Sequence, residues 1–125
     1  LWWVKSNKPA LEVPRQEWYW KLLIRLPDFI ALEIVEKARL EVMKKKDIAL
    51  LEDIKFERIT EGKCVQVLHI GPYSAEPRTI EKMRKMMKEN NLTENGLHHE
   101  IYLSDPRKTP SQKMRTILRQ PVKNK

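Results

Sequence analysis

The sequence has 125 residues, of which 41% are apolar and 34% charged, so it can form one domain with a modest core. No apolar run approaches the roughly 18 residues of a membrane-spanning helix, and we therefore expect no membrane segment. A single cysteine, Cys64, excludes an intramolecular disulfide and a cysteine-based zinc site. These features favour a cytoplasmic protein.

The first residues lack the features of a natural N-terminus. The chain opens Leu-Trp-Trp-Val-Lys, with neither an initiator methionine nor the pattern of a signal peptide. This start resembles the middle of a strand, so we expect the chain to be part of a longer protein.

The net charge of +8 is concentrated towards the C-terminus. Residues 1–81 carry 14 basic and 13 acidic side chains, whereas residues 82–125 carry 11 and 4. A basic region can attract nucleic acid, but these charges are scattered and no helix-turn-helix, zinc-finger or RNA-binding motif is present. We expect a solvated basic face and no nucleic-acid partner.

The first half of the chain predicts one strand and one helix. Alternating side chains predict a strand over residues 18–26, which Pro27 ends. Apolar residues at helical spacing predict a helix over residues 32–46. Ala31 stands where a Ser or Thr cap is expected, and Asp28 is the available substitute.

The second half predicts alternating strands and helices. The expected elements are a hairpin of strands 54–60 and 63–70, a helix over 77–90, a strand over 97–104, a one-turn helix starting at Thr109-Pro110, and a strand over 116–122. Pro121 favours an edge position for the last strand. This order predicts an α+β fold, with an antiparallel sheet and helices on one face.

Glu100 is the strongest candidate for chemistry. Alternation in the strand places His98, Glu100 and Tyr102 on one face, and we expect Ile101 and Leu103 to face the core from the other. A carboxylate beside a phenol could pair with a cationic ligand or act as a general base. An exposed glutamate on a wet sheet face is the alternative.

All four tryptophans lie within the first 20 residues. Trp18 and Trp20 share a strand face, whereas Trp2 and Trp3 point to opposite faces if the segment is extended. Stacked indoles beside a carboxylate suit flat or cationic ligands. An aromatic core without a ligand is the alternative.

Few other residues suggest a site. Gly71-Pro72-Tyr73 leads from a strand to a helix, and Tyr73 could aim its hydroxyl over the sheet end or simply belong to a turn. His69, His98 and His99 lack the spacing of a metal site, so we expect no metal. We also expect no cofactor.

Several segments carry a resemblance to a known family. The run from His69 to Tyr73, the Glu76-Pro77 helix start and above all the segment from His98 to Thr109 resemble the GyrI-like small-molecule-binding domain. Within that family the sequence is similar to the stand-alone branch related to cyclopropanoid cyclopropyl hydrolases. The closing segment from Thr116 to Val122 fits as well, so the similarity covers essentially all 125 residues.

The resemblance implies two pseudo-symmetric βαββ units that share a sheet, with a ligand groove between them. The whole of 1–125 would be one domain, in which residues 1–26 end an incomplete first unit, 27–53 form a connecting helix, and 54–125 form the second unit.

The resemblance also implies roles for individual residues. Glu100 would be the catalytic acid or base, with Tyr73 or Tyr102 as the phenol. Ligand-binding residues would be Trp3, Trp18, Trp20, Glu100, Tyr102 and His69.

Relatives sense drugs as effector domains or inhibit gyrase, and some members hydrolyse cyclopropane rings of DNA-alkylating compounds. The sequence therefore predicts binding of flat, aromatic or cationic molecules, with hydrolysis of strained genotoxins as an associated activity. The alternatives are a sequestering or effector-sensing protein without turnover, and a nucleic-acid or protein-interaction module. The sequence leaves a homodimer open.

Overall fold

The computed structural model describes residues 1–8 and 12–125. Its helices and strands, in chain order, are β1 (Trp2–Val4), β2 (Trp18–Trp20), α1 (Leu32–Met43), β3 (Cys64–Ile70), α2 (Glu76–Glu89), β4 (Leu92–Glu94), β5 (His99–Tyr102) and β6 (Arg115–Asn124). Short 3-10 turns occupy residues 15–17, 49–53, 73–75 and 111–113. Antiparallel sheets with two described helices confirm the predicted α+β class.

The chain divides into two compact units, residues 1–22 with 61–125, and residues 23–60. The second unit contains α1, and none of its residues is buried. The hydrophobic core therefore lies in the first unit. No helix among the described residues has the length and apolar character needed to cross a membrane.

Strand β6 is the centre of the larger sheet. It pairs antiparallel with β3 along one side, and with β5 and then β4 along the other. Strands β1 and β2 form a separate antiparallel ribbon, and a bridge between Trp2 and His98 links the ribbon to the segment preceding β5. Pro121 thus lies in a central strand, and the predicted edge position is wrong. The strand tolerates it because Pro121 lies between the stretches of β6 that pair with β5 and with β4, on the side where its carbonyl accepts from the Asn95 N–H at 2.9 Å, so no ladder bond there needs a donor from residue 121.

The pairing register decides which face of β5 meets the core. Leu118 of β6, which is fully buried, lies opposite Val67 of β3 and opposite Glu100 of β5. Opposed residues point to the same side of a sheet, so Glu100 and Tyr102 share the face that α2 covers with Met83 and Met87. The expectation that Ile101 and Leu103 face this core is wrong. Alternation separates two faces of a strand, but it does not tell which of them the helix covers.

Two predicted strands are shorter or absent. Only residues 18–20 of the predicted strand 18–26 pair with β1, and the Lys21 N–H donates to the Leu1 carbonyl at 3.0 Å just beyond them. Residues 54–60 form no strand, so the predicted hairpin with residues 63–70 is wrong. Strand β3 finds its partner along its whole length in β6 instead.

The helices begin close to where the sequence places them. Helix α1 begins at Leu32 as predicted and ends three residues early, and no side-chain cap bond forms at Ala31, so Asp28 does not cap it. Helix α2 begins at Glu76 with Pro77 in its first turn, where a proline needs no hydrogen-bond partner. The one-turn helix is a 3-10 turn over residues 111–113 without a side-chain cap bond.

Candidate functional site

The Glu100 carboxylate accepts two short hydrogen bonds from aromatic side chains. The Trp2 indole Nε1 donates to Oε1 at 2.6 Å, and the Tyr102 hydroxyl donates to Oε2 at 2.6 Å. Tyr102 reaches it because residues two apart on a strand share a face, and Trp2 because β1 bridges to His98 beside it. Hydrogen bonds to a charged acceptor are stronger than neutral ones, so both rings are firmly oriented around this carboxylate.

Three indole rings form a continuous stack next to Glu100. Trp2 stacks on Trp18 with ring centroids 4.6 Å apart, and Trp18 stacks on Trp20 at 5.7 Å. The Trp18 Nε1 donates to the Val13 carbonyl at 2.9 Å, which fixes the middle ring. Trp20 at the end of the stack is 47% exposed, so a flat molecule can reach its surface. We call Trp2, Trp18 and Trp20 the indole stack.

A cation already lies over this stack. The Arg15 guanidinium carbon is 5.2 Å from the Trp18 ring centroid and 5.9 Å from that of Trp20. The faces of indole rings attract positive charge through their quadrupole. The stack therefore has the geometry to hold a planar cation.

Trp3 lies on the other face of the ribbon. Its ring stacks on Tyr19 at 5.6 Å, and the structure does not bring it to Glu100. The neighbouring residue, Trp2, which the sequence did not select, contacts Glu100 instead. Which of the two indoles reaches Glu100 depends on how β1 is aligned with β2 and with His98. Strand alternation alone does not determine this alignment.

The two predicted phenols meet beside the carboxylate. The Tyr73 and Tyr102 rings pack edge to face with centroids 5.7 Å apart. Burial, followed by the hydrogen bond to Glu100, raises the pKa of Tyr102 above its usual range, and burial also raises the pKa of Tyr73. Both hydroxyls therefore stay protonated at neutral pH and act as hydrogen-bond donors.

His69 stabilises the turn that leads to Tyr73. Its Nε2 lies 3.1 Å from the Pro72 carbonyl, and its Nδ1 lies 2.9 Å from the Thr79 hydroxyl. A carbonyl can only accept, so Nε2 carries the proton. Gly71 in this turn has a φ of 132°, which only glycine adopts readily. In this structure His69 uses both ring nitrogens on protein atoms.

Glu76 is a site residue that sequence reasoning did not select. It is the first residue of α2, only 6% exposed, and its Oε1 has no hydrogen-bond partner. Burial, followed by the charge of Glu100, raises the pKa of Glu76 to about 7, while Arg15 acts in the opposite direction. In the sequence it resembles an ordinary acidic residue at a helix start, and only the register of β5 shows that it lies near a second carboxyl group.

The arrangement supplies one hydrogen-bonded carboxylate, phenol donors and indole faces. Within residues 1–8 and 12–125, no three acidic, His or Cys side chains group closely enough to hold a metal ion. A carboxylate with aromatic walls can bind a flat cation or accept a proton from water.

Comparison with known proteins follows this geometry. Residues 28–123 match the family model of the GyrI-like small molecule binding domain. An uncharacterized conserved protein from Listeria innocua has a solved structure that is 40% identical, with a TM-score of 0.87, over 98% of this chain and 61% of its own. No curated protein matches the chain.

Two further solved structures from Listeria innocua are described as hydrolases. One is 38% identical with a TM-score of 0.81, and the other 40% identical with a TM-score of 0.82. Each match covers 98% of this chain and, respectively, 59% and 61% of the other protein. This chain spans about three fifths of the length of all three. The family match extends over most of the sequence and confirms the resemblance seen in its motifs: the chain belongs to the GyrI-like small-molecule-binding domain family.

Proposed function

We propose that the chain binds flat, cationic aromatic molecules between Glu100 and the indole stack. The observation that carries this proposal is the Glu100 carboxylate, held by the Trp2 indole and the Tyr102 hydroxyl at 2.6 Å each. A carboxylate has about four lone-pair sites, so two such bonds leave acceptor capacity for a ligand N–H or a water molecule.

The indole stack supplies the apolar part of the binding energy. A flat ligand that covers an exposed ring face removes apolar area from water at about 25 cal/mol per Å², which amounts to several kcal/mol for a three-ring molecule. The Arg15 guanidinium already lies over Trp18 and Trp20, so an incoming planar cation would displace it. Attraction between cation and ring adds about 0.5–2 kcal/mol.

The test uses proflavine, a planar three-ring cation, in isothermal titration calorimetry. We expect wild type to bind it and Glu100→Gln to bind it roughly tenfold to a hundredfold more weakly, because the amide keeps the shape and loses the charge. Glu81→Gln, at an exposed position of α2, is the matched control and should bind like wild type. Equal affinity of Glu100→Gln and wild type would overturn the proposal.

A second candidate function is hydrolysis, because two of the similar Listeria proteins are described as hydrolases. We propose strained cyclopropane rings as the bonds it would open, since the sequence resembles the branch related to cyclopropanoid cyclopropyl hydrolases. In this reaction Glu100 takes a proton from water, and the water oxygen forms a bond to a ring carbon. One ring C–C bond breaks, and its electron pair moves into the conjugated carbonyl of the substrate, whose oxygen is then protonated. In this proposal Tyr102 and Tyr73 orient the water or the carbonyl, a role supported by the bond of Tyr102 to Glu100 and by the packing of the two rings.

Turnover is separated from binding by incubating the protein with a cyclopropane-bearing DNA alkylator. Chromatography with mass detection then follows the ring-opened hydrate. Product that depends on Glu100 and disappears in Glu100→Gln supports the enzyme. Unchanged compound together with quenched tryptophan fluorescence supports a sequestering or sensing protein.

A further inference from the structure

Glu76 is buried within electrostatic range of Glu100, and its carboxyl oxygen Oε1 has no hydrogen-bond partner. Its side chain is more than nine-tenths buried, and Oε1 has no hydrogen-bond partner. The N-cap residue of α2 is Ala75, which makes no side-chain cap bond, and Glu76 is the first residue of the helix. A buried carboxyl oxygen without a donor is costly when ionised, and the cost disappears when the group holds a proton.

The groups that face Glu76 come from each neighbouring element. Glu100 of β5 opposes its ionisation, and Arg15 of the turn before β2 favours it. The charge of Glu76 also acts on the hydroxyls of Tyr73 and Tyr102, where it raises the pKa of both groups. The N-terminus of α2 also favours a negative charge at Glu76.

The two carboxyl groups are not equivalent. Glu100 accepts two charge-stabilising hydrogen bonds, whereas the Oε1 of Glu76 accepts none. When two carboxyl groups share a poorly hydrated site, the charge goes to the one with donors and the proton to the other. Glu76 is therefore the group of the pair that holds a proton.

We propose that Glu76 is a second ligand-facing carboxyl group, protonated beside the Glu100 carboxylate, and that it sets the charge of the molecules accepted by the site. The inference rests on the proposed function and narrows its ligand class. The preferred ligand carries one positive charge for Glu100 and, next to it, a carbonyl oxygen or ring nitrogen that accepts a hydrogen bond from the Glu76 hydroxyl. Above neutral pH, Glu76 ionises, and the site favours ligands of higher positive charge.

The burial of Glu76 supports this division, because it raises the pKa of this carboxyl from 4.5 to about 7. The Glu76 hydroxyl thus loses its proton within the range where proteins are ordinarily studied. A change between about pH 6 and about pH 8 alters the charge of the site by close to one unit.

The test compares proflavine with acridone, a neutral molecule of similar shape that presents a carbonyl. In wild type, proflavine affinity should rise roughly three- to tenfold from about pH 6 to about pH 8, and acridone affinity should fall by a similar factor. Glu76→Gln should remove both pH dependences and still bind acridone, since its amide donates a hydrogen bond. Glu81→Gln should behave like wild type. If Glu76→Gln keeps the wild-type pH dependence, the inference is wrong.

A measurement without any dye separates this inference from the proposed function. Infrared difference spectroscopy of wild type against Glu76→Gln should show the carbonyl band of a protonated carboxylic acid near pH 6, and the band should vanish near pH 8. If the dyes bind and this band is missing, only the role of Glu76 fails. If wild type binds neither dye at either pH, both the proposed function and the ligand-facing role of Glu76 are wrong.

Discussion

At the scale of single residues, the site depends on short-range alternation at Glu100 and on long-range register at Trp2. The bond between Tyr102 and Glu100 joins positions two apart on one strand, and the sequence could predict that these side chains lie together. The hydrogen bond from Trp2 to Glu100, in contrast, joins residues that are 98 positions apart in the sequence. No local pattern chooses between Trp2 and Trp3, because both are indoles on adjacent strand positions.

Trp2→Phe and Trp3→Phe test this assignment as a matched pair. Trp2→Phe keeps an aromatic ring but removes the N–H donor to Glu100, so we expect proflavine affinity to fall roughly tenfold. Trp3→Phe changes a ring that stacks on Tyr19 and should leave the affinity unchanged. Titration calorimetry measures both. A larger loss in Trp3→Phe than in Trp2→Phe would show that the wrong indole has been placed at the site.

The raised pKa of Glu76 also predicts that the stability of the fold depends on pH. Its pKa is about 7 in the folded chain against 4.5 for the free group, so the folded state holds the proton more tightly. The stabilisation that the folded chain gains by holding this proton is complete below about pH 4.5 and is lost as pH rises through 7. Relative to wild type, Glu76→Gln should therefore gain on the order of 1–3 kcal/mol of unfolding free energy between about pH 5 and about pH 8. Urea unfolding followed by tryptophan fluorescence measures the difference. A difference that does not change with pH would mean that Glu76 is already ionised near pH 5.

At the scale of elements, β6 organises both the core and the site. The face of β6 that carries Leu118 packs against α2, and the same face continues across β5 to Glu100. The sequence could predict the strands and helices of this region, because their periodicity and their Gly and Pro boundaries are local. It could not predict which face of β5 meets the helix or that β3 pairs with β6, since both depend on contacts between distant segments.

Leu118→Ala tests the central position of β6. Leu118 is fully buried, so its truncation leaves a cavity and should lower the free energy of unfolding by about 2–5 kcal/mol. Leu68→Ala in β3 is the control, because Leu68 is 48% exposed on the other face and should cost less than about 1 kcal/mol. Urea unfolding measures both variants. Similar losses at the two positions would contradict the assignment of the core face.

At the scale of the whole molecule, ion pairs neutralise part of the positive charge that is concentrated in residues 82–125. Arg119 bonds to Glu61 at 2.7 Å, Arg107 to Asp105 at 3.0 Å, and Lys85 lies 3.8 Å from Glu89. In each pair the basic residue lies within residues 82–125, the region that is basic by composition. That nucleic acid is not a partner therefore stays a prediction.

A DNA-binding measurement checks this interpretation. Fluorescence polarisation with labelled duplexes of different sequence should show only weak binding, equal for each duplex and unchanged in Glu100→Gln. Tight binding of one duplex, with an affinity that falls steeply as salt is raised, would instead identify a nucleic-acid module.

The most direct measurement uses fluorine NMR on protein labelled with fluorotryptophan, in which each of the four indoles gives its own signal and single Trp→Phe variants assign them. On addition of proflavine, the signals of Trp2, Trp18 and Trp20 should shift strongly, because the ring of a bound dye lies over or beside them, and the signal of Trp3 should stay in place. Saturable binding of proflavine without movement of the Trp2 and Trp18 signals would place the ligand elsewhere and contradict the assignment of Glu100 and its indoles as the binding site.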